Sequence, residues 1–574
     1  MLGRSLGEPA ERPGRRTNFY ESLTQRCSPV EFHLPNRHRS QSMTELFNAA
    51  EYLTDRRVLA GDADRVAVHH PRGTLTYTEL ADEVRRVAAG LVAIGVRPEE
   101  RVLMCMVDDV ELFTAILATM YVGAVAVPSS TMLTGSELGV LVADSRARVL
   151  LGSPEFADAV HTAAAGAPDL RHVVLTGDTG PDPAALGPNV TSLTWQGLLD
   201  AGAAAPVGAP YPTWDESPAL WLYTSGTTGK PKGAMHRHDD IRVVAETYGR
   251  QVLGIEPTDV CLSVAKLFFA YGIGNSMFFP LAVGASAVLE PSRPSPALFA
   301  RRVREHGVTL FFAVPSFWGP LIAADDETVD PAAFATVRRG VSAGETLPAR
   351  MFHGVRDRFG FEVLDGIGST EALHIFISNV PGKVVPGSSG YPVPGYRVEL
   401  RRTDGTVIDG SGESGMLFVA GASLCTGYWC RTDVNRAVFH GEWMRTGDQY
   451  VRNDDGSYTC LGRADDVLKV GGIWVSPSEV EARILEHPGV SEAVVVGVPD
   501  EDGLDKPIAY VVPRPGVTID PDEVVAFCRA GLAAFKRPRA VVTVDELPKT
   551  ATGKVQRYRL RERASAPAAP PATV

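Results

Sequence analysis

The chain has 574 residues, which at about 150 per domain corresponds to three or four domain equivalents. Hydrophobic residues make up 44% and charged residues 22%, the composition of a soluble globular enzyme and not of a disordered chain. The formal net charge of −12 supplies no overall basic field for nucleic acid or an anionic membrane, so an anionic substrate must be met by a local site.

Residues 1–42 stand apart, with seven Arg, four Glu, several Pro and no apolar run of the secretory type. Periodic sequence begins at Met43, so either Met43 is the true start or residues 1–42 form a disordered extension. The apolar run 112–127 is 16 residues long and follows Asp108, Asp109 and Glu111. It is too short for a membrane span and is expected to be a core helix running into a strand. RVLMCMV (101–107), VELFTAILATMYVG (110–123) and AVAVP (124–128) read as strand, helix and strand, and VTLFFAVP (308–315) and FEVLDG (361–366) continue that texture. This alternation predicts parallel sheets covered by helices.

Beyond residue 400 the texture changes to hairpins with Gly and Asp turns: YRVELRRTDGTVI (396–408), GMLFVAG (415–421) and YVRNDDGSYTCLG (450–462). A last unit begins near Asp465. Ser476-Pro477-Ser478-Glu479 and Asp520-Pro521-Asp522-Glu523 each combine a capping side chain, Pro at the first helical position and Glu at the third. Strands EAVVVGV (492–498) and PIAYVV (507–512) lie between them, which predicts a compact α+β domain of about a hundred residues. Residues 564–574 are an Ala/Pro-rich tail. The seven cysteines are dispersed without a CxxC pair, which argues for a reducing compartment and against a zinc site or a disulfide framework.

The densest chemical signal is YTSGTTGKPKG (223–233). Glycines let backbone N–H groups close on a ligand, the hydroxyls add donors, and Lys230 and Lys232 add charge. Such a loop after the apolar ALWL suits a polyphosphate. A Walker A loop is disfavoured, because Pro231 follows Lys230 where Ser or Thr is needed.

This stretch resembles the phosphate loop of the adenylate-forming superfamily of acyl-CoA synthetases, adenylation domains and luciferases. Further motifs follow in that superfamily's order. SAGETL (342–347) resembles the adenine turn, DGIGSTEALH (365–374) the Thr/Glu motif and WMRTGD (443–448) the ribose motif. GRADDVLKVGGIWVSPSEVE (462–481) resembles the hinge region and PKTATGK (548–554) the catalytic-lysine motif. The resemblance implies an α/β fold with a large N-terminal domain (43–463) and a small mobile α+β C-terminal domain (464–563). The large domain is expected to hold two doubly wound α/β subdomains and a small β-barrel-like one. It also implies the chemistry: a carboxylate attacks ATP to give acyl-AMP and pyrophosphate, and a thiol then displaces AMP. ATP, Mg²⁺ and coenzyme A are the implied cofactor and co-substrates.

The resemblance assigns roles residue by residue. Lys554 bridges the carboxylate and the α-phosphate, where negative charge accumulates. Thr224, Ser225, Gly226, Thr227, Thr228, Gly229 and Lys230 surround the phosphates. Thr370 donates to a phosphate oxygen, and Glu371 holds the metal. Gly344, Glu345 and Thr346 lie along the adenine, with Asp365 and Gly366 at its edge, and Asp448 and Arg463 bind the ribose. Asp465 is the hinge, and Gly471 and Gly472 line the pantetheine passage. The spacing of Pro548 to Lys554 also matches lysines that are acetylated in relatives, which implies a lysine acetyltransferase as partner.

The stretch 261–289 contains one charged side chain, Lys266, and lacks the Asp that pairs with the ammonium in amino-acid-activating domains. A buried unpaired ammonium is costly, so an amino-acid substrate is disfavoured. Phe268, Phe269, Ala270 and Tyr271 with Gly272 and Gly274 suggest a flat slot suited to a ring. AKLFFAYGIGN (265–275), GSTEALHIFISN (368–379), ELFNAAEYLTDR (45–56) and GVRPEERVLMCMVD (95–108) resemble the benzoate–CoA ligase branch. The implied aryl-acid pocket comprises Phe269, Ala270, Tyr271, Ala343, Gly344, Gly368, His374 and Ile375. Ala372 stands where that branch commonly has Met, so the pocket is expected to admit a substituted benzoate. His374 either hydrogen-bonds a ring substituent or caps the pocket. The acceptor thiol is free coenzyme A or, alternatively, the phosphopantetheine of a carrier protein. A cytoplasmic enzyme without nucleic-acid or membrane partners is expected.

Overall fold

A computed structural model describes residues 45–225, 231–463, 468–470, 473–499, 505–532, 534–549 and 555–565. The segment 1–42, Gly226, Thr227, Thr228, Gly229, Lys230, Asp465, Gly471, Gly472, Lys554 and nearly all of the 564–574 tail lie outside the described residues, and Ser225 is described by its backbone alone.

The apolar run forms helix Val110–Tyr121 and strand Val125–Pro128, as its length suggested. Asp109 caps the helix, its Oδ1 accepting from Val110 N at 2.7 Å. Every residue from Leu112 to Tyr121 is buried, including Leu112, Phe113, Ile116 and Leu117. Each such side chain contributes roughly 1.5–3 kcal/mol relative to exposure, which holds this helix in the interior. It packs on helix Tyr77–Ala93, which begins in a reciprocal capping box between Thr76 and Glu79. Among the described residues no helix is long and apolar enough to cross a membrane.

Two large sheets dominate. One has seven strands in the order Thr191–Thr194, His172–Leu175, Val149–Gly152, Arg101–Cys105, Val125–Pro128, Pro218–Ser225, Pro231–Arg237. Its pairings are parallel up to the antiparallel hairpin of the last two strands. The other has nine strands, from Tyr391–Pro392 and Ile375–Ser378 at one edge through Val363–Gly368, Arg339–Ser342, Leu310–Ala313, Val260–Ser263 and Ser286–Val288 to Val66–His70 and Gly73–Thr76. Its centre is parallel and its edges antiparallel. The main core lies between the two sheets and takes Met104 and Leu222 from the first and Cys261, Phe312 and Leu364 from the second.

In each sheet the order reverses next to one strand. Arg101–Cys105 is followed by a neighbour on one side and then by one on the other, and Val260–Ser263 behaves the same way. Ligands of open α/β sheets sit outside the carboxyl ends of strands at such switch points. The two ends are joined, because Asp108 Oδ2 accepts from Leu267 N at 2.9 Å.

The expected barrel-like part is a five-stranded antiparallel sheet built from Arg397–Arg401, Ser414–Ala420, Phe439–His440, Trp443–Arg452 and Tyr458–Arg463. In the small C-terminal domain Val490–Pro499 pairs antiparallel with Asp505–Pro513, which pairs parallel with Ala540–Thr543. Helices Pro477–Ile484 and Pro521–Arg529 pack with them around Val480, Ile484, Val495 and Val524. Asp520 caps its helix as expected, accepting from Asp522 N at 2.9 Å. Ser476 does not: its side chain makes no capping bond, and Glu479 pairs with Lys536 Nζ at 2.6 Å instead.

Candidate active site

Strand Val363–Gly368 and strand Ile375–Ser378 form a tight antiparallel pair that carries the Thr/Glu motif on its turn. The approach requires glycine: a Cβ on Gly368 would stand 2.5 Å from His374 O, and one on Gly366 2.7 Å from Ile377 O. Between the strands, Thr370–Ala372 forms one helical turn, with Ser369 Oγ accepting from Ala372 N at 3.2 Å. Leu373 turns the chain back at φ +65°.

Asp365 is buried at the floor of this hairpin. Its Oδ2 accepts from Leu347 N at 3.4 Å, which ties it to the 342–347 turn, and its buried Oδ1 has no partner among the described residues. Burial pushes its carboxyl well above the ordinary range and so favours the protonated form, which presents both a donor and an acceptor. That pair matches the edge of a nucleobase. Gly344 takes φ +92° at the turn, Glu345 is exposed, and Thr346 reaches the Cys460 thiol on the neighbouring strand.

Glu371 is fixed from one side. Tyr428 Oη donates to its Oε1 at 2.6 Å, and Lys232 Nζ lies 4.5 Å from the centre of the Tyr428 ring. Burial lowers the Lys232 pKa, the Glu371 carboxylate opposes that, and Arg463 adds to it. Arg463 and Asp448 are register partners on adjacent strands, with Nη1 donating to Oδ1 at 3.1 Å and to Thr446 O at 3.1 Å. Thr370 is held through its carbonyl, which faces His236 Nε2 at 2.8 Å, while His236 Nδ1 faces the Asp240 carboxylate at 3.1 Å. Thr224 is the register partner of Lys232 at the neck of the phosphate-loop hairpin. Thr224, Lys232, Thr370, Glu371, Asp448 and Arg463 therefore meet, although the first and last are far apart in sequence. One half-exposed carboxylate suits a hard cation that keeps most of its waters, so the residues fit Mg²⁺.

The residues expected to form the ring slot follow the carboxyl end of strand Val260–Ser263. Phe269 occupies the N-cap position of the short helix Ala270–Ile273. Tyr271 is anchored by its hydroxyl, which donates to Val341 O at 3.0 Å and Ala313 O at 3.2 Å. Lys266 turns away, Nζ donating to Glu290 O and to Ser292 O at 3.0 Å. Ala270, Ala343, Ala372, His374 and Ile375 are buried, and Gly368 is half-buried. His374 sits among Tyr248, Tyr271 and Phe279 with ring-centre distances of 5.2, 5.6 and 4.5 Å. Its Nε2 lies 3.2 Å from Asn275 Oδ1, and burial lowers its pKa to about 3, so it is neutral. Its Nδ1 has no partner among the described residues.

Tyr428 and His236 were not marked by any sequence motif, nor was Asn275 singled out within its quoted stretch. Their partners are 57, 134 and 99 residues away, and only the folded chain brings them together. Lys232 was legible as loop charge, but its position against Tyr428 was not.

Comparison with known proteins agrees with this geometry. The AMP-binding enzyme family matches residues 55–429, and the AMP-binding enzyme C-terminal domain matches residues 479–554. The chain is 42% identical to a benzoate–CoA ligase of Thauera aromatica over 521 residues, covering 90% of this chain and 96% of that protein. It resembles the crystal structure of a benzoate CoA ligase from Burkholderia xenovorans LB400 (TM-score 0.80, 40% identity, 90% of this chain and 100% of that one). It also resembles the anthranilate CoA ligase AuaEII in complex with anthranoyl-AMP (TM-score 0.84, 36% identity, 91% and 98%).

Proposed function

Because this chain belongs to the AMP-binding enzyme family, in its benzoate–CoA ligase-like branch, we infer that it is an AMP-forming aryl acid–CoA ligase. It joins benzoate or a substituted benzoate to ATP, releasing pyrophosphate, and passes the aroyl group to coenzyme A with release of AMP. The observation that carries this reading is the juxtaposition of two surfaces on one hairpin. His374 belongs to an uncharged aromatic cage, and three residues earlier Glu371 faces Lys232 and Tyr428.

The chemistry follows from these surfaces. A carboxylate oxygen bonds to the α-phosphorus as the bond to pyrophosphate breaks, so negative charge accumulates beside Thr370, Glu371 and Lys232. Lys232 and the Lys554 ammonium oppose that charge. Magnesium bound by Glu371 would neutralise phosphate oxygens, and Tyr428 keeps one carboxylate oxygen occupied so that the other is free for the ion. Asp448 and Arg463 face each other where ribose hydroxyls are expected, and Asp365 offers its buried carboxyl to the base. The thiol of coenzyme A then attacks the aroyl carbon and AMP leaves. The relatives at 40% identity and above that support this reading are CoA ligases, which favours free coenzyme A over a carrier protein. The free thiols of Cys105, Cys261, Cys425, Cys430, Cys460 and Cys528 fit the reducing environment of the cytoplasm.

Pyrophosphate release across benzoates, aliphatic acids and amino acids, with and without coenzyme A, tests the reading. Benzoates are expected to turn over and to give aroyl-CoA only when the thiol is present, and amino acids to be inert. Lys554→Ala is expected to lose adenylation by ~10²–10³-fold while still thioesterifying supplied aroyl-AMP. Equal turnover of amino acids, or adenylation that persists in Lys554→Ala, would refute it.

A further inference from the structure

The hairpin of Pro218–Ser225 and Pro231–Arg237 is tied at its neck by one carboxylate outside it. Asp144, in the last turn of helix Gly135–Ser145, accepts from Tyr223 Oη on Oδ2 at 2.8 Å and from Arg431 Nη2 on Oδ1 at 2.7 Å. The same guanidinium nitrogen donates to Pro231 O at 3.1 Å. Trp429 adds two further ties, its Nε1 donating to Asp144 O and its backbone N to Gly233 O, both at 2.9 Å. Tyr223 and Gly233 are register partners, and a Cβ on Gly233 would stand 3.2 Å from the Tyr223 ring. The Trp221 and Trp429 rings lie 5.0 Å apart, with Arg101 over both at 5.4 and 5.9 Å.

Both strands of the neck are thus gripped, Pro218–Ser225 through Tyr223 and Pro231–Arg237 through Pro231 and Gly233. The Asp144 and Arg431 side chains are 19% and 24% exposed, so the pair is partly shielded and its charge-assisted bonds are stronger than neutral ones. The turn that supplies Arg431 begins at Tyr428, which meets Glu371 and Lys232. A shift of the neck would therefore move Lys232 and Thr224 against Glu371.

We propose that Asp144 is a positioning residue for ATP, setting the spacing of the two strands that carry the phosphate loop through Tyr223 and Arg431. It touches neither substrate. Displacements of about 1 Å cost up to ~10²-fold in rate when reacting groups must be aligned, so the consequence is measurable. The proposal rests on the reading of this hairpin as the ATP-binding element.

The test uses the full-length chain and its Asp144→Ala, Asp144→Glu and Tyr223→Phe variants. The readouts are KM for ATP, KM for benzoate, thioesterification of supplied benzoyl-AMP, and thermal melting. Asp144→Ala is expected to raise KM for ATP by ~10-fold or more, with the other two kinetic quantities within about twofold. Tyr223→Phe, which removes one hydroxyl, is expected to give a smaller rise, and Asp144→Glu partial recovery. An unchanged KM for ATP overturns the proposal, as does a parallel fall of both half-reactions with melting temperature. If Asp144→Ala does not fold, Tyr223→Phe decides by the same criteria. A wild-type chain that forms no benzoyl-AMP refutes the functional reading, whereas a working wild type matched by its Asp144 variants refutes the positioning role alone.

Discussion

At the scale of single residues, burial raises the pKa of Asp365 and favours its protonated form, which can offer both a donor and an acceptor. Its raised pKa comes from burial, opposed by the backbone N–H groups of Leu347 and Gly366. The sign of the consequence is fixed. Between the ordinary value of 3.8 and the raised folded value, the native state holds a proton that the unfolded chain has lost. Stability therefore falls as pH rises through that window. Asp365→Asn keeps the shape and mimics the protonated form that burial favours, so it is expected to retain ATP affinity within about threefold near pH 7. Asp365→Ala leaves buried groups unpaired and should lose roughly tenfold or more. The difference in unfolding free energy between wild type and Asp365→Asn, measured by urea melts across pH, should shift against the wild type as pH rises. A difference constant with pH would show that Asp365 titrates alike in the folded and the unfolded chain. The identity of Asp365 was legible from its motif, but its protonation was not, because burial is a property of everything packed around it.

At the scale of elements, strand and helix assignments were legible where the hydrophobic period is local. The 112–127 run, the 450–462 hairpin and the Asp520 cap all follow from neighbours in sequence. The Ser476 cap failed where a tertiary partner intervened: Lys536, 57 residues from Glu479, takes the carboxylate that a capping box would need. The same dependence on distant partners governs the aryl slot. Gly274 lies against His374, and a Cβ there would stand 2.3 Å from His374 Cδ2 and 2.8 Å from Nε2. Gly274→Ala must push the ring away from Asn275 and from Tyr271. Overpacking of this kind costs ~1–3 kcal/mol, which corresponds to a rise of roughly 5- to 160-fold in KM for benzoate if it falls on binding. KM for ATP is expected to stay within about twofold, since Glu371 and Lys232 contact other elements. A steady-state comparison of the two substrates checks this, and equal rises in both would mean that the hairpin moves as a whole.

At the scale of the whole molecule, the order of the motifs was legible because each one is a short string. Their convergence was not, since it depends on two sheets joined at their switch points and on Tyr428 crossing to Glu371. The small domain has its own core around Val480, Ile484, Val495 and Val524. It meets the large one where helix Pro477–Ile484 lies beside strand Tyr458–Arg463. Arg350, exposed on the large domain, lies near Glu486 and Arg514, with partial desolvation lowering its pKa, Glu486 opposing that and Arg514 adding to it. A change in the relation of two domains of one chain is the default expectation unless a large hydrophobic interface holds them. In the proposed mechanism the two half-reactions would need such a change, because an ammonium bridging carboxylate and phosphate would stand where the thiol enters. The hinge proposed at Asp465, two residues after Arg463, is where the backbone would turn. Proline there fixes φ near −65° and removes a donor, so Asp465→Pro is expected to hold one arrangement. Single-turnover measurements of benzoyl-AMP formation, and separately of thioester formation from supplied benzoyl-AMP, should show one rate within a few-fold of wild type and the other reduced by ~10²-fold or more. Proline that slowed both alike would place the pivot elsewhere or indicate misfolding, which a thermal melt separates. Proline that slowed neither would mean that a single arrangement serves both steps.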